Sequence, residues 1–159
     1  MDLKFQVQTK IMKPVEEVFD AVANPAKLSG YFTKTATPMK AGETAIWTFP
    51  EFSSMEVEVK ITQLIPKKLI AFSWESQEGP EYQTHVEIHF EPYNGKSTLV
   101  KITEWGWKET QKGLNSSYGN CQGWMHMTLC MKAFVEFGIN LRKDSTPDMK
   151  DPSEYTDWK

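Results

Sequence analysis

The chain has 159 residues, 40% hydrophobic and 25% charged, with 18 Lys and Arg against 21 Asp and Glu and a formal net charge of -3. These figures fit one soluble domain with a sizeable core, and scattered basic residues offer no field for nucleic acid or an anionic membrane. The start, Met1-Asp2-Leu3-Lys4-Phe5-Gln6, lacks the apolar core of a signal peptide. No stretch reaches the roughly 20 apolar residues that cross a bilayer, so a cytoplasmic location is expected.

Phe5, Val7, Thr9 and Ile11 alternate with Lys4, Gln6, Gln8 and Lys10, the period of a strand with one wet face. Pro14 then suits a first helical position. Val15, Val18, Phe19 and Val22 form an i, i+3, i+4, i+7 stripe that stops before Asn24-Pro25, a pair that starts a second short helix running to Gly30. From there strands dominate, over Thr33 to Thr37, Thr44 to Phe49, Met55 to Ile65, Lys68 to Trp74, Thr84 to Glu91 and Ser97 to Trp105. Turn chemistry separates them at Ala41-Gly42, Pro66-Lys67, Glu78-Gly79-Pro80 and Asn94-Gly95, the last a strong hairpin signal. Consecutive strands joined by short turns imply an antiparallel sheet.

A closing helix is expected from Ser117 to Leu141, with Trp124, Met127, Cys130, Met131 and Phe134 on one broad face and Lys132 and Glu136 on the opposite one. Cys121 and Cys130 in that helix stand roughly 13 Å apart at about 1.5 Å per residue, which excludes a disulfide between them. Cys121, Met125 and Leu129 fall near the nominally wet side. They mark a partner contact or sit under a loop from Trp107 to Ser116. Residues 1–142 read as one domain and 143–159, with Tyr155 and Trp158, as a flexible extension.

One strand, two short helices, six more strands and a long terminal helix describe an α+β chain: a curved antiparallel sheet of about seven strands around that helix, the helix-grip arrangement. Three stretches carry a family resemblance: Lys13-Pro14-Val15-Glu16-Glu17-Val18-Phe19, the hairpin Leu64-Ile65-Pro66-Lys67-Lys68-Leu69-Ile70-Ala71-Phe72-Ser73-Trp74, and Gly123-Trp124 with Met131-Lys132 and Glu136. Together they resemble the activator of Hsp90 ATPase homologue family of the START-like, polyketide-cyclase-like (SRPBCC, Bet v 1-like) superfamily. The resemblance spans positions 3 to 141, and Phe49-Pro50-Glu51-Phe52 departs from the glycine-containing turn usual there. It implies a hydrophobic ligand held between sheet and terminal helix; some members are cyclases or hydratases. The co-chaperone role belongs to larger members with a further N-terminal domain.

Candidate chemistry is sparse. His85 and His89 flank Glu87 on one strand face, opposite Val86 and Ile88, which places both on the wet side; about 13 Å between their Cα atoms prevents one metal from bridging them. His126 and Cys130 stand at i and i+4, an incomplete ligand set. No nucleophile motif, phosphate-cradling loop or dinucleotide fingerprint occurs, so no cofactor or metal is expected. Glu104, just before Trp105-Gly106-Trp107, is the one carboxylate near the expected cavity mouth, or else a partner for a surface lysine.

The aromatic and Met content is more informative. Trp47, Phe49, Trp74, Ile88, Trp105 and Trp107 from the sheet side, facing Trp124, Met127 and Met131 from the helix, are the expected walls of an apolar pocket, or else simply core. The leading expectation is non-enzymatic binding of a small hydrophobic molecule or lipid by a monomer or homodimer. A chaperone-associated (Hsp90) or other protein-binding module is the alternative. A cyclase-like or hydrolase-like enzyme, for which only Glu104 and His85 are candidates, is the third.

Overall fold

The computed structural model describes residues 1–52, 54–79 and 82–147. Strand β1 (Lys4–Ile11) is followed by α1 (Val15–Ala23) and α2 (Pro25–Leu28). Then come β2 (Thr35–Ala36), β3 (Thr44–Thr48), a single 3-10 turn (Pro50–Phe52), β4 (Val57–Ile65), β5 (Leu69–Glu75), β6 (Gln83–Tyr93), β7 (Ser97–Trp105) and the long α3 (Gln111–Phe137). The strands form one sheet in the order β1-β7-β6-β5-β4-β3-β2, every pair antiparallel. This is the helix-grip α+β architecture: a curved sheet closing on α3, with α1 and α2 covering one end.

Alternation decides which side chains meet α3. In β1, Val7, Thr9 and Ile11 are buried while Lys4, Gln6, Gln8 and Lys10 are exposed; in β6, Val86, Ile88 and Phe90 point inward. On α3 the inward stripe includes Trp124, Met127, Cys130 and Met131, all at most 2% exposed. A buried bond between Thr9 Oγ1 and Thr128 Oγ1 at 2.8 Å ties β1 to α3. Lys132 reaches back to the Lys10 carbonyl at 3.1 Å and pairs with Glu136 at 2.5 Å. The nominally wet side of the helix end therefore rests on β1.

Several boundaries differ from the periodicity. The edge strand shrinks to Thr35–Ala36 because helical turning continues past α2, with Phe32 N and Thr33 N both donating to the Leu28 carbonyl. Met55 closes a turn on Phe52 and stays outside β4. The helix runs from Gln111 to Phe137, not from Ser117 to Leu141. Thr110 caps it, accepting a bond from Gly113 N at 3.0 Å, and Gly138 ends it at φ 69, the left-handed conformation that glycine adopts at little cost. Residues 111–116 lack an apolar stripe, which hid this first stretch. With them helical, no loop among the described residues covers Met125 and Leu129, which are 36% and 43% exposed. The Asn94-Gly95 turn has positive φ at both residues, as expected.

Of the expected extension, residues 143–147 are described, and there Ser145 Oγ contacts His126 Nε2 at 3.3 Å and Thr146 Oγ1 donates to Glu51 Oε1 at 3.2 Å. Tyr155 and Trp158 lie outside the described residues.

The helix start has little room. A Cβ at Gly113 would lie 2.1 Å from the Lys108 carbonyl oxygen, a backbone atom that cannot step aside cheaply. Gly113→Ala should therefore destabilise by about 1–3 kcal/mol despite the better helix propensity of alanine, and by more than Thr110→Ala, whose lost cap costs about 1 kcal/mol. Urea unfolding of both variants reads the order.

Candidate functional site

Three neighbouring strands and α3 converge on one carboxylate. Trp74 on β5 pairs with Thr84 on β6, and Val86, two residues on, pairs with Glu104 on β7. Alternation then puts Trp74, Thr84 and Glu104 side by side on the concave face. Asn120 and Trp124, one turn apart on α3, approach from above.

Glu104 is fully buried and accepts four hydrogen bonds. Its Oε1 takes Thr84 Oγ1 at 2.7 Å, Trp74 Nε1 at 2.9 Å and Asn120 Nδ2 at 2.9 Å; its Oε2 takes Trp124 Nε1 at 2.7 Å. None of these donors is charged. Burial pushes the carboxyl above the ordinary value of 4.5, and the bonds from Thr84, Trp74, Trp124 and Asn120 pull the other way by favouring the ionised form. Both indoles are fixed by their N–H edges on one carboxylate and stack at 5.4 Å between centroids and 25° between planes.

Beside this pair opens a cavity of about 840 Å³ at the end of the sheet. Phe32, Phe49, Phe52, Trp74 and Trp124 provide aromatic walls, with Asn120 and Gly123 on the α3 side and Gln77 and Glu78 on the β5–β6 side. Arg142, only 7% exposed, closes one end: it stands over the rings of Phe32 and Phe49 at 5.4 and 5.8 Å and pairs with Glu51, Nε to Oε1, at 2.9 Å. Gly123 is mid-helix, where glycine costs up to about 1 kcal/mol relative to alanine. A Cβ built there meets nothing within 4 Å, so it would point into open space beside the cavity.

Residues 13–136 match the family described as "Activator of Hsp90 ATPase homolog 1-like protein". The chain belongs to that family. No curated protein matches the chain. Among solved structures, a Staphylococcus saprophyticus protein is similar at 25% identity and TM-score 0.71, covering 89% of this chain and 96% of its own. The Aha1 dimer from Colwellia psychrerythraea, a solution structure, is similar at 20% identity and TM-score 0.70, covering 85% and 97%. DynU16, described as a putative protein in the dynemicin biosynthetic locus, is similar at 17% identity and TM-score 0.76; the match covers 88% of this chain but 49% of that one.

Within this member of the Hsp90-activator-homologue family, the expected wall residues separate into four places. Phe49, Trp74 and Trp124 border the cavity. Trp47, Ile88, Met127 and Met131 are packed into the core, each at most 1% exposed. Trp107 is stacked on Phe5 at 5.5 Å. Trp105 corrects the expectation most clearly: as the residue after inward-pointing Glu104 it faces the convex side, against His85 at 5.7 Å and under the Lys4 ammonium at 5.3 Å. Phe32, Phe52, Asn120 and Arg142 were not picked out by the sequence. Asn120, a polar residue four before Trp124 on the buried face, was the readable signal.

His85 is exposed on the convex side, and His89 there contacts Glu87 at 2.8 Å. Burial first, and the nearby Arg142 next, hold His126 below its ordinary 6.5. Among the described residues, no three His, Cys, Asp or Glu side chains are grouped to hold a metal ion, and no helix is long and apolar enough to cross a membrane.

Glu104→Gln keeps the size but sets an amide N–H against an indole N–H, so it should destabilise by about 1–3 kcal/mol at pH 7 in denaturant unfolding. Because the folded carboxyl titrates above 4.5, the native state binds the extra proton, and this residue's contribution falls as pH rises from 4.5 through the raised value. Glu104→Gln lacks that fall. The stability gap between the two proteins should therefore narrow as pH rises across this window; a widening gap contradicts the raised value.

Proposed function

We propose that this protein binds a small, mainly apolar ligand in the cavity between the end of the sheet and α3, without chemistry on it. The observation that carries this reading is the pre-set aromatic wall: Trp74 and Trp124 are stacked, 25° between planes, with both N–H groups on Glu104, at the border of a cavity of about 840 Å³. Ligand pockets of this kind measure roughly 300–1,000 Å³ and combine apolar walls with a few polar groups. Gly123 supports it, since a helix glycine that leaves space beside the cavity gives up stability for volume.

The enzymatic alternative needs Glu104 and His85 as a pair of acid and base, and they do not meet. Glu104 is surrounded by neutral donors, and His85, its proposed partner, lies on the other side of the sheet. General acid–base work needs both groups within hydrogen-bond reach of one substrate. A second, non-enzymatic reading has its own observation. Tyr118, Met125 and Leu129 are 54%, 36% and 43% exposed along the outer face of α3, a surface that suits a protein partner such as a chaperone or a second copy. The relative from Colwellia is a dimer by its own description.

Native mass spectrometry of freshly purified protein should show a defined small-molecule mass that is lost on denaturation. Gly123→Leu, which fills the open space, should purify folded and without it. An identical adduct on Gly123→Leu would place the ligand elsewhere. A purely apo spectrum, together with a measurable increase in Hsp90 ATPase rate on adding the protein, would favour the partner reading.

A further inference from the structure

The polar groups around the cavity divide unevenly between acceptors and donors. Both buried carboxylates have their oxygens engaged: Glu104 by Thr84, Trp74, Asn120 and Trp124, and Glu51 by Arg142 Nη2 at 3.1 Å and Thr146 Oγ1 at 3.2 Å. The guanidinium of Arg142 is not used up. It carries five N–H donors, and among the described residues only Glu51 takes any of them, through Nη2 and through Nε at 2.9 Å. Nη1, with two N–H groups, has no partner among those residues, yet it is not one of the side-chain atoms sealed from solvent. Arg142 is only 7% exposed and lines the cavity, so this open donor belongs to a nearly enclosed site.

The donor is held in place before a ligand arrives. The guanidinium stands over Phe32 and Phe49 at 5.4 and 5.8 Å, Glu51 pairs with it, and Thr146 in turn bonds Glu51. A group fixed in this way needs little reordering to meet a guest. Charge then decides which guest it meets. Glu51 already balances the cation, so a carboxylate or phosphate would add an unbalanced anion to a site where Glu104, behind the wall, has neutral donors only. An ammonium group would face the guanidinium's own charge. A carbonyl oxygen accepts from Nη1 and adds no charge, and bonds from an ionised donor are of the stronger kind. Asn120, 8% exposed on the α3 side, keeps its Oδ1 open and without a partner among the described residues, so a hydroxyl can be matched there as well.

We infer that the cavity selects neutral carbonyl compounds, an aromatic or cyclic body bearing a ketone, ester or amide oxygen that accepts from Arg142 Nη1, over acids and amines of the same shape. This rests on the pocket reading above and adds the polar group by which the ligand is chosen.

Four probes of one shape test it: 2-acetylnaphthalene, 2-ethylnaphthalene, 2-naphthoate and 1-(2-naphthyl)ethylamine, titrated into the full chain and followed by NMR. The Gly123 amide and the Arg142 Nε–H resonance should shift with the ketone, which should bind tighter than the acid and the amine. The ratio of hydrocarbon to ketone Kd should be about tenfold higher in the wild type than in Glu51→Gln/Arg142→Met, which removes both charges together; taking the ratio cancels the difference in hydrophobicity. Arg142→Lys keeps a cation for Glu51 and gives up the planar fork, so it should lower the ratio at least about threefold even if the double variant does not fold. In the infrared spectrum the ketone C=O stretch should lie lower when bound than in a hydrocarbon solvent. A ratio that is the same in the wild type and the variants, a C=O stretch as high as in hydrocarbon, or an acid or amine that binds as tightly as the ketone overturns the carbonyl selectivity and leaves the pocket standing. No shift at Gly123 or Arg142 with any probe overturns both the selectivity and the pocket.

Discussion

A carboxylate buried without a cation must be satisfied entirely by neutral donors, and in this fold that requirement organises the concave face. Removing Glu104 from water costs several kcal/mol unless every lone pair that matters is met. Thr84, Trp74, Asn120 and Trp124 meet them from two other strands and the helix. Each donor must hold its position, because a donor that drifts leaves charge uncompensated in a low-dielectric interior. The bonds therefore fix the distance between sheet and helix, and they orient two large rings that packing alone would leave with several alternatives.

From that anchor the aromatic layer spreads outward. Trp74 meets Trp47 and Phe72 edge-on at 6.3 and 5.3 Å, Trp47 meets Phe32 at 5.7 Å, and Phe32 meets Phe49 at 5.2 Å. Edge-to-face pairs at these distances add stabilisation beyond area burial and hold the rings rigid. Where the layer reaches the end of the sheet it is not covered by α3, and the space left is the cavity. Arg142 and Glu51 seal its far side with a buried ion pair, so the segment after α3 belongs to the same structure as the wall. Binding and folding thus draw on the same rings, which makes the pocket preorganised and lowers the cost of ordering it around a guest.

The strand order was legible because period-two alternation is strong in β1, β4 and β6, and the turns between them carry glycine, proline or asparagine. The same alternation, carried two residues further along β7, points Glu104 inward and Trp105 outward; reading the aromatic run as a unit obscured that parity. The start of α3 was hidden for a different reason. Gln111 to Ser116 pack with few apolar side chains, and the cap at Thr110 is the local sign of the helix. The core tryptophan Trp47 and the cavity tryptophan Trp124 cannot be told apart from sequence, since only the third dimension decides which ring borders empty space. Arg142 was harder again, because a single polar residue reveals its role only through the partner it meets.

The most direct test of the Glu104 anchor is the indole N–H signature of the tryptophans by solution NMR with hydrogen exchange. If the carboxylate holds both rings, the Nε1 protons of Trp74 and Trp124 resonate downfield and exchange slowly, and both lose that protection together in Glu104→Ala while Trp105 stays unchanged. If Trp74 and Trp124 exchange in the wild type as fast as free indole, or lose protection independently of one another, the carboxylate does not organise the site.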